Sequence, residues 1–134
     1  HLINYRCGTG HSVSFVGNVH EGPHALNGRN TVVFQPGMIV TDEPGVYEGG
    51  QVGIRIENEL MCVHKADNQY GTFLGFEPIM FVPIATSPVV PGVLTRDELD
   101  WLNAYHREVF TKLAPRLTEE ERDWLAKKCA AIGA

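Results

Sequence analysis

The stretch GMIVTDEPGVYEGGQVGIRIENELMCV, residues 37–63, reads as two β-strands folded about the turn EGGQ at 48–51. Branched apolar residues recur on both arms, and the Gly-Gly pair supplies the backbone freedom that a tight turn requires. Side chains alternate faces along a strand. Ile54, Ile56, Asn58 and Leu60 therefore share one face, and Gly53, Arg55, Glu57 and Glu59 take the other. On the opposing arm Ile39, Thr41 and Glu43 share a side, with Met38, Val40 and Asp42 on the reverse. A turn centred near Gly50 sets Glu43 directly across from Glu57. Facing side chains on paired strands have Cβ atoms about 5 Å apart. Two carboxylates that close need a shared proton or a cation between them. Pro44 has no N–H to donate, so the ladder departs from a plain sheet beside the pair. Two alternatives stand: a solvent-washed glutamate pair on a sheet surface, and a one-residue slip at the turn, which separates the two.

Upstream, GTGHSVSFVGNVHEGP at 8–23 holds His11 and His20 among glycines and a proline. A glycine-flanked histidine by itself reads as a loop residue, but glycines also allow close backbone approach. One imidazole with two carboxylates suits a hard to borderline divalent cation such as manganese, cobalt or zinc. The rest of residues 1–29 reads as extended segments and loops. NTVVF, 30–34, reads as a short strand.

Downstream, ADNQYG at 66–71 reads as a turn. TFLGFEPIMFVPI at 72–84 reads as a strand whose Gly75 marks a bulge. ATSPVVPGV, 85–93, reads as a linker. Thr95 with Glu98 forms a capping box. Leu99, Leu102, Tyr105, His106 and Val109 follow helical spacing until Pro115. Thr118 with Glu121 repeats the capping box for a second helix ending near Gly133. Trp101, Tyr105 and Trp124 are read as core or interface residues. Cys62 and Cys129 are read as buried thiols, His24 and His106 as exposed, and His64 as a strand end.

Composition bounds the function. The 134 residues carry a formal charge of −5 with histidines neutral, which argues against a nucleic-acid partner. No apolar run approaches the roughly 20 residues that span a bilayer, and no signal peptide is visible. Three scattered cysteines fit a reducing, cytoplasmic compartment better than a disulfide framework. The chain opens on His1 instead of Met, as a trimmed piece or a proteolytic fragment would.

GTGHSV and NVHEGP followed by GMIVTDEPGVYEGGQVGIRIENE resemble the C-terminal half of the pita-bread catalytic domain of metallopeptidase family M24, and within it the aminopeptidases P. FEPIMFVPI and LTRDELDWLNAYHREV are similar to the small C-terminal extension of those enzymes. The resemblance implies an α+β fold of the creatinase/aminopeptidase-like kind: a curved antiparallel sheet with a two-helix extension. It divides the chain into a half pita-bread at 1–83, a linker at 84–94 and the helical extension at 95–134. It implies a dinuclear metal site, most often manganese and sometimes cobalt or zinc, and hydrolysis of the bond between an N-terminal residue and a penultimate proline. His11, Glu43 and Glu57 match metal ligands, with Glu43 also a proton shuttle. His20 matches a histidine that contacts the substrate or the developing oxyanion, and Arg55 would orient the carboxylates. A homodimer is implied, as is exposed apolar surface where the other half of the domain belongs.

Two departures qualify that reading. The family pattern HGTGH reads CGTGH here, so by that resemblance Cys7 replaces a histidine that helps bind substrate, and a thiol does not supply the same donor. The family's two aspartate ligands come from the N-terminal half, and neither Asp42 nor Asp67 sits in a matching context. These residues alone are therefore expected to hold metal weakly or singly and not to turn over peptide. The alternative function is a catalytically impaired pita-bread module that binds a peptide or protein.

Overall fold

A computed structural model of the chain describes residues 5–90 and 92–133. Pro91, within the expected linker, lies outside them. The chain divides into two compact units, His1–Met80 and Phe81–Ala134.

The first unit is antiparallel β-structure. Short strands β1 (Gly10–His11) and β2 (Ala25–Leu26) pair with each other. Strands β3 (Ile39–Asp42), β6 (Asn58–Asn68) and β7 (Gly71–Pro78) form a sheet in the order β3-β6-β7, and β4 (Gly45–Glu48) pairs with β5 (Val52–Arg55). The expected hairpin is present, but as two ladders in one register. Asp42 faces Asn58 on one side of the interruption, and Gly45 faces Arg55 on the other. Sequence chemistry breaks the ladder. Pro44 has no N–H, and the Glu43 N–H turns away to donate to the Thr9 carbonyl at 2.7 Å. Glu43 and Glu57 flank the gap. The register did not slip at the Gly-Gly turn, where Gly50 takes a φ of 72°.

Several expectations need correction. NTVVF is not a strand. The Asn30 side chain donates to Val32 O (2.9 Å) and accepts from Val32 N (3.2 Å), so Val32 needs no neighbouring strand. The strand expected over 72–84 ends at Pro78, and the irregularity lies not at Gly75, which pairs with Val63, but at Lys65 of β6, facing the step between Phe73 and Leu74. Gly75 has a different use: a β-carbon there would run into the Lys65 stem. His64 lies within β6, because the strand continues to Asn68.

Val40 and Cys62 are fully buried in this unit, with Ser12, His24 and Thr41 beside them. Val46, Ile54 and Ile56 of the β4–β5 arm stay about half exposed. His24 was expected to be exposed and is instead 9% exposed.

The second unit is helical. Helix α1 (Arg96–Leu113) and helix α2 (Glu119–Lys128) each begin with a complete capping box, at Thr95/Glu98 and Thr118/Glu121. A 3-10 turn at Ala114–Arg116 containing Pro115 ends the first. Tyr105, Val109, Leu125 and Cys129 form the core, with Phe81, Ile84, Phe110, Leu113 and Leu117 packed on it. Each such side chain removed from water contributes about 1.5–3 kcal/mol before entropy is counted. α2 stops at Lys128, short of Gly133, because Asn103 captures Ile132 through both its N–H and its C=O, each at 3.0 Å. Trp101 and Trp124 stay more than half exposed, and of the three aromatics only Tyr105 enters the core. His106, expected outside, is fully buried: its Nε2 accepts from the Ile84 N–H at 3.1 Å. Burial holds the His106 imidazole below its usual pKa.

Candidate metal centre

Glycine begins the assembly. A β-carbon on Gly10 would overlap the Thr41 carbonyl, so only glycine lets β1 lie this close to β3. The contact is tied by backbone bonds. The His11 N–H donates to Thr41 Oγ1 at 3.0 Å, Ser12 bridges to Val40, and Glu43 N–H meets Thr9 O. The GTGH segment and the strand leading into TDEP are thereby locked side by side.

The side chains follow. His11 Nδ1 lies 2.9 Å from Ser12 O. A carbonyl can only accept, so Nδ1 carries the hydrogen and Nε2 of a neutral ring presents a lone pair. That lone pair faces Glu43 Oε1 at 2.9 Å. Two acceptors at this distance require a proton or a cation. Thr41 Oγ1 donates to the same Glu43 oxygen at 3.0 Å, fixing the carboxylate. Its other oxygen, Oε2, is 3.2 Å from Arg55 Nη1, and Arg55 Nε is 3.2 Å from Glu57 Oε2. The positive charge between the two glutamates is thus the Arg55 guanidinium. The imidazole of His20 stands beside that of His11, ring centroids 4.2 Å apart and inclined at 47°.

His11, His20, Glu43, Arg55 and Glu57 therefore gather at the break between the two ladders. His11 Nε2 and Glu43 Oε1 present their lone pairs to each other, which is the donor chemistry a divalent cation takes. Among the described residues, no three His, Cys, Asp or Glu side chains gather closely enough to hold an ion by themselves. Glu57 joins through Arg55, not by direct approach to His11. Glu43 is the more enclosed carboxylate, its side chain 14% exposed against 33% for Glu57.

Cys7 lies at the edge of this group. Its thiol donates to the Gly45 carbonyl at 3.2 Å, linking the start of the GTGH segment to β4. A cavity of about 570 Å3 opens beside it, lined by Arg6, Cys7, Gly8, Asn27, Arg29 and Thr31 among others. Thr41 is the residue that sequence reasoning passed over. Its alternation with Glu43 was legible. That its buried hydroxyl joins the His11 backbone to the Glu43 carboxylate was not, because the link depends on a contact across thirty residues.

Comparison with known proteins gives the family. The model of metallopeptidase family M24 matches residues 2–64, and that of the C-terminal region of peptidase M24 matches residues 72–132. Aminopeptidase P2 of Arabidopsis thaliana is 47% identical over 130 residues, covering 92% of this chain and 18% of that protein. Aminopeptidase P1 of Lotus japonicus is 41% identical over 137 residues, covering 98% and 21% respectively. The chain thus spans about a fifth of the length of these relatives. The crystal structure of an X-prolyl aminopeptidase from Caenorhabditis elegans, described as a cytosolic enzyme with a di-nuclear active site, superposes with a TM-score of 0.80. It is 39% identical, and the match covers 93% of this chain and 21% of that one. The α+β fold is that of the C-terminal half of a pita-bread domain with its helical extension. The chain belongs to metallopeptidase family M24 and carries the C-terminal region of an aminopeptidase P.

Proposed function

We propose that the whole protein is an Xaa-Pro aminopeptidase using two divalent metal ions, most suitably manganese, and that this chain supplies His11, Glu43 and Glu57 to them. The carrying observation is the meeting of His11 Nε2 and Glu43 Oε1 at 2.9 Å, two acceptors that need a cation or a proton. The di-nuclear active site of the C. elegans relative supports the same reading. The two remaining carboxylate ligands belong to the upstream half of the domain, so this chain alone should bind metal weakly and not turn over peptide. A cytoplasmic location and a homodimer complete the proposal.

When bound, such a metal pair polarises the scissile carbonyl and acidifies the attacking water. This chain's side chains do the rest. Glu43, held by Thr41 and Arg55, accepts the water's proton through a carboxylate oxygen and returns it to the departing proline nitrogen. His20 donates toward the carbonyl oxygen as charge gathers there. Arg55 keeps the two glutamates from repelling each other apart. The cavity beside Cys7 offers room for the peptide.

The test is release of arginine from Arg-Pro-Pro by the full-length protein with manganese. Wild type should cleave, and Glu43→Gln should lose at least about a hundredfold in kcat. One observation favours the second reading, a binder with impaired chemistry: the Cys7 thiol directs its hydrogen to Gly45 O, where it is not offered to substrate. Bound manganese without cleavage, with cleavage restored by Cys7→His, would support that reading.

A further inference from the structure

His24 lies outside the residues assigned above. The residue is 9% exposed. Its main-chain carbonyl accepts the Ser12 N–H at 3.1 Å, and its Nε2 is 2.7 Å from the Ile39 carbonyl. Ile39 O has only lone pairs to offer, so Nε2 carries the hydrogen. Nδ1 is then a bare acceptor, buried with no hydrogen-bond partner among the described residues. The ring is fixed edge-on against Phe34, centroids 5.4 Å apart, and Phe34 is fixed in the same way against Phe76 at 5.2 Å.

These bonds run to two particular places. Ser12 is the neighbour of His11. Ile39 opens β3, the strand that carries Thr41 and leads into Glu43. We propose that His24 is a positioning residue that spans the two ligand-bearing segments and sets the separation of His11 from Glu43. A hydrophobic residue would fill the same space without leaving a buried nitrogen unpaired. What the imidazole adds is the N–H to Ile39. The inference rests on reading His11 and Glu43 as metal ligands.

The test uses the full-length protein, with manganese affinity, kcat and KM for Arg-Pro-Pro, and metal-free thermal stability measured on each variant. His24→Leu should weaken manganese binding and kcat by about tenfold or more with KM little changed, in the range seen when groups supporting metal ligands are removed. His24→Gln, whose amide can still donate to Ile39 O, should recover most of the loss. Phe34→Leu disturbs the same packing without cutting the tie. It should lower the melting temperature and leave manganese affinity within about twofold. If His24→Leu does not fold, His24→Gln against His24→Asn decides, since the shorter amide falls short of Ile39. Equal affinities in that pair, or a His24→Leu affinity within twofold of wild type, overturn the proposal. His11→Ala in the same titration separates the two levels. If it binds manganese as wild type does, the ligand reading fails and takes the tie with it. If it loses binding while His24→Leu does not, the tie alone is wrong.

Discussion

His11 Nε2 lies 2.9 Å from Glu43 Oε1, with the His11 proton committed on the far side of the ring to Ser12. A proton between them, or a cation bonded to both, satisfies the pair. His11→Ala in the full-length protein should weaken manganese affinity about tenfold or more. Metal titration of the two proteins checks this; an affinity unchanged in the variant contradicts it.

Arg55 stands between Glu43 and Glu57, 3.2 Å from an oxygen of each. Its side chain is half exposed, so the pairing is screened and its worth is modest. Arg55→Gln in metal-free protein should cost about 1 kcal/mol, because two partly enclosed carboxylates lose their counter-charge. Manganese should then stabilise the variant more than wild type, since the ion replaces the lost charge. Urea unfolding with and without manganese reads both effects. Equal stabilisation of the two proteins would count against the charge argument.

Thr41 accepts the His11 N–H and donates to Glu43 Oε1 from a site 2% exposed. Thr41→Val keeps the volume and strands both partners, at a cost of about 1–3 kcal/mol. Thr41→Ser keeps the hydroxyl and should retain manganese binding, which Thr41→Val should weaken. Chemical denaturation and metal titration on the pair distinguish the hydroxyl's role from simple packing.

His106 provides a pH signature in the helical unit. Burial depresses its pKa, so the unfolded chain takes up a proton first as pH falls. Both states are neutral well above the unfolded value of about 6.5. Below it the unfolded state gains, so stability declines as pH falls toward the depressed folded value. His106→Gln can still accept from Ile84 N–H but does not titrate. Its helical unfolding between pH 7 and 5 should be flatter than that of wild type, as circular dichroism melts would show.

Some of this was legible in the sequence because it is local. Alternation and a Gly-Gly turn fix the register that sets Glu43 opposite Glu57, and Thr95/Glu98 and Thr118/Glu121 mark the helix starts. What escaped depends on contacts between distant segments. Asn30 withdraws Val32 from strand pairing by bonding its backbone, which no propensity encodes. His24 and His106 look like surface residues until Ile39 O and Ile84 N–H appear as their partners. The role expected of Arg55 was to orient the carboxylates, and its guanidinium reaches an oxygen of each glutamate, two residues from one of them. The alternation had already placed that guanidinium on the same face.

The most direct measurement is the anomalous scattering of manganese in crystals of the full-length protein. The account predicts density within bonding distance of His11 Nε2 and a Glu43 oxygen, about 2.0–2.3 Å for ligands of these types. Manganese bound elsewhere, with His11 still 2.9 Å from Glu43 and nothing but a proton between them, would contradict it.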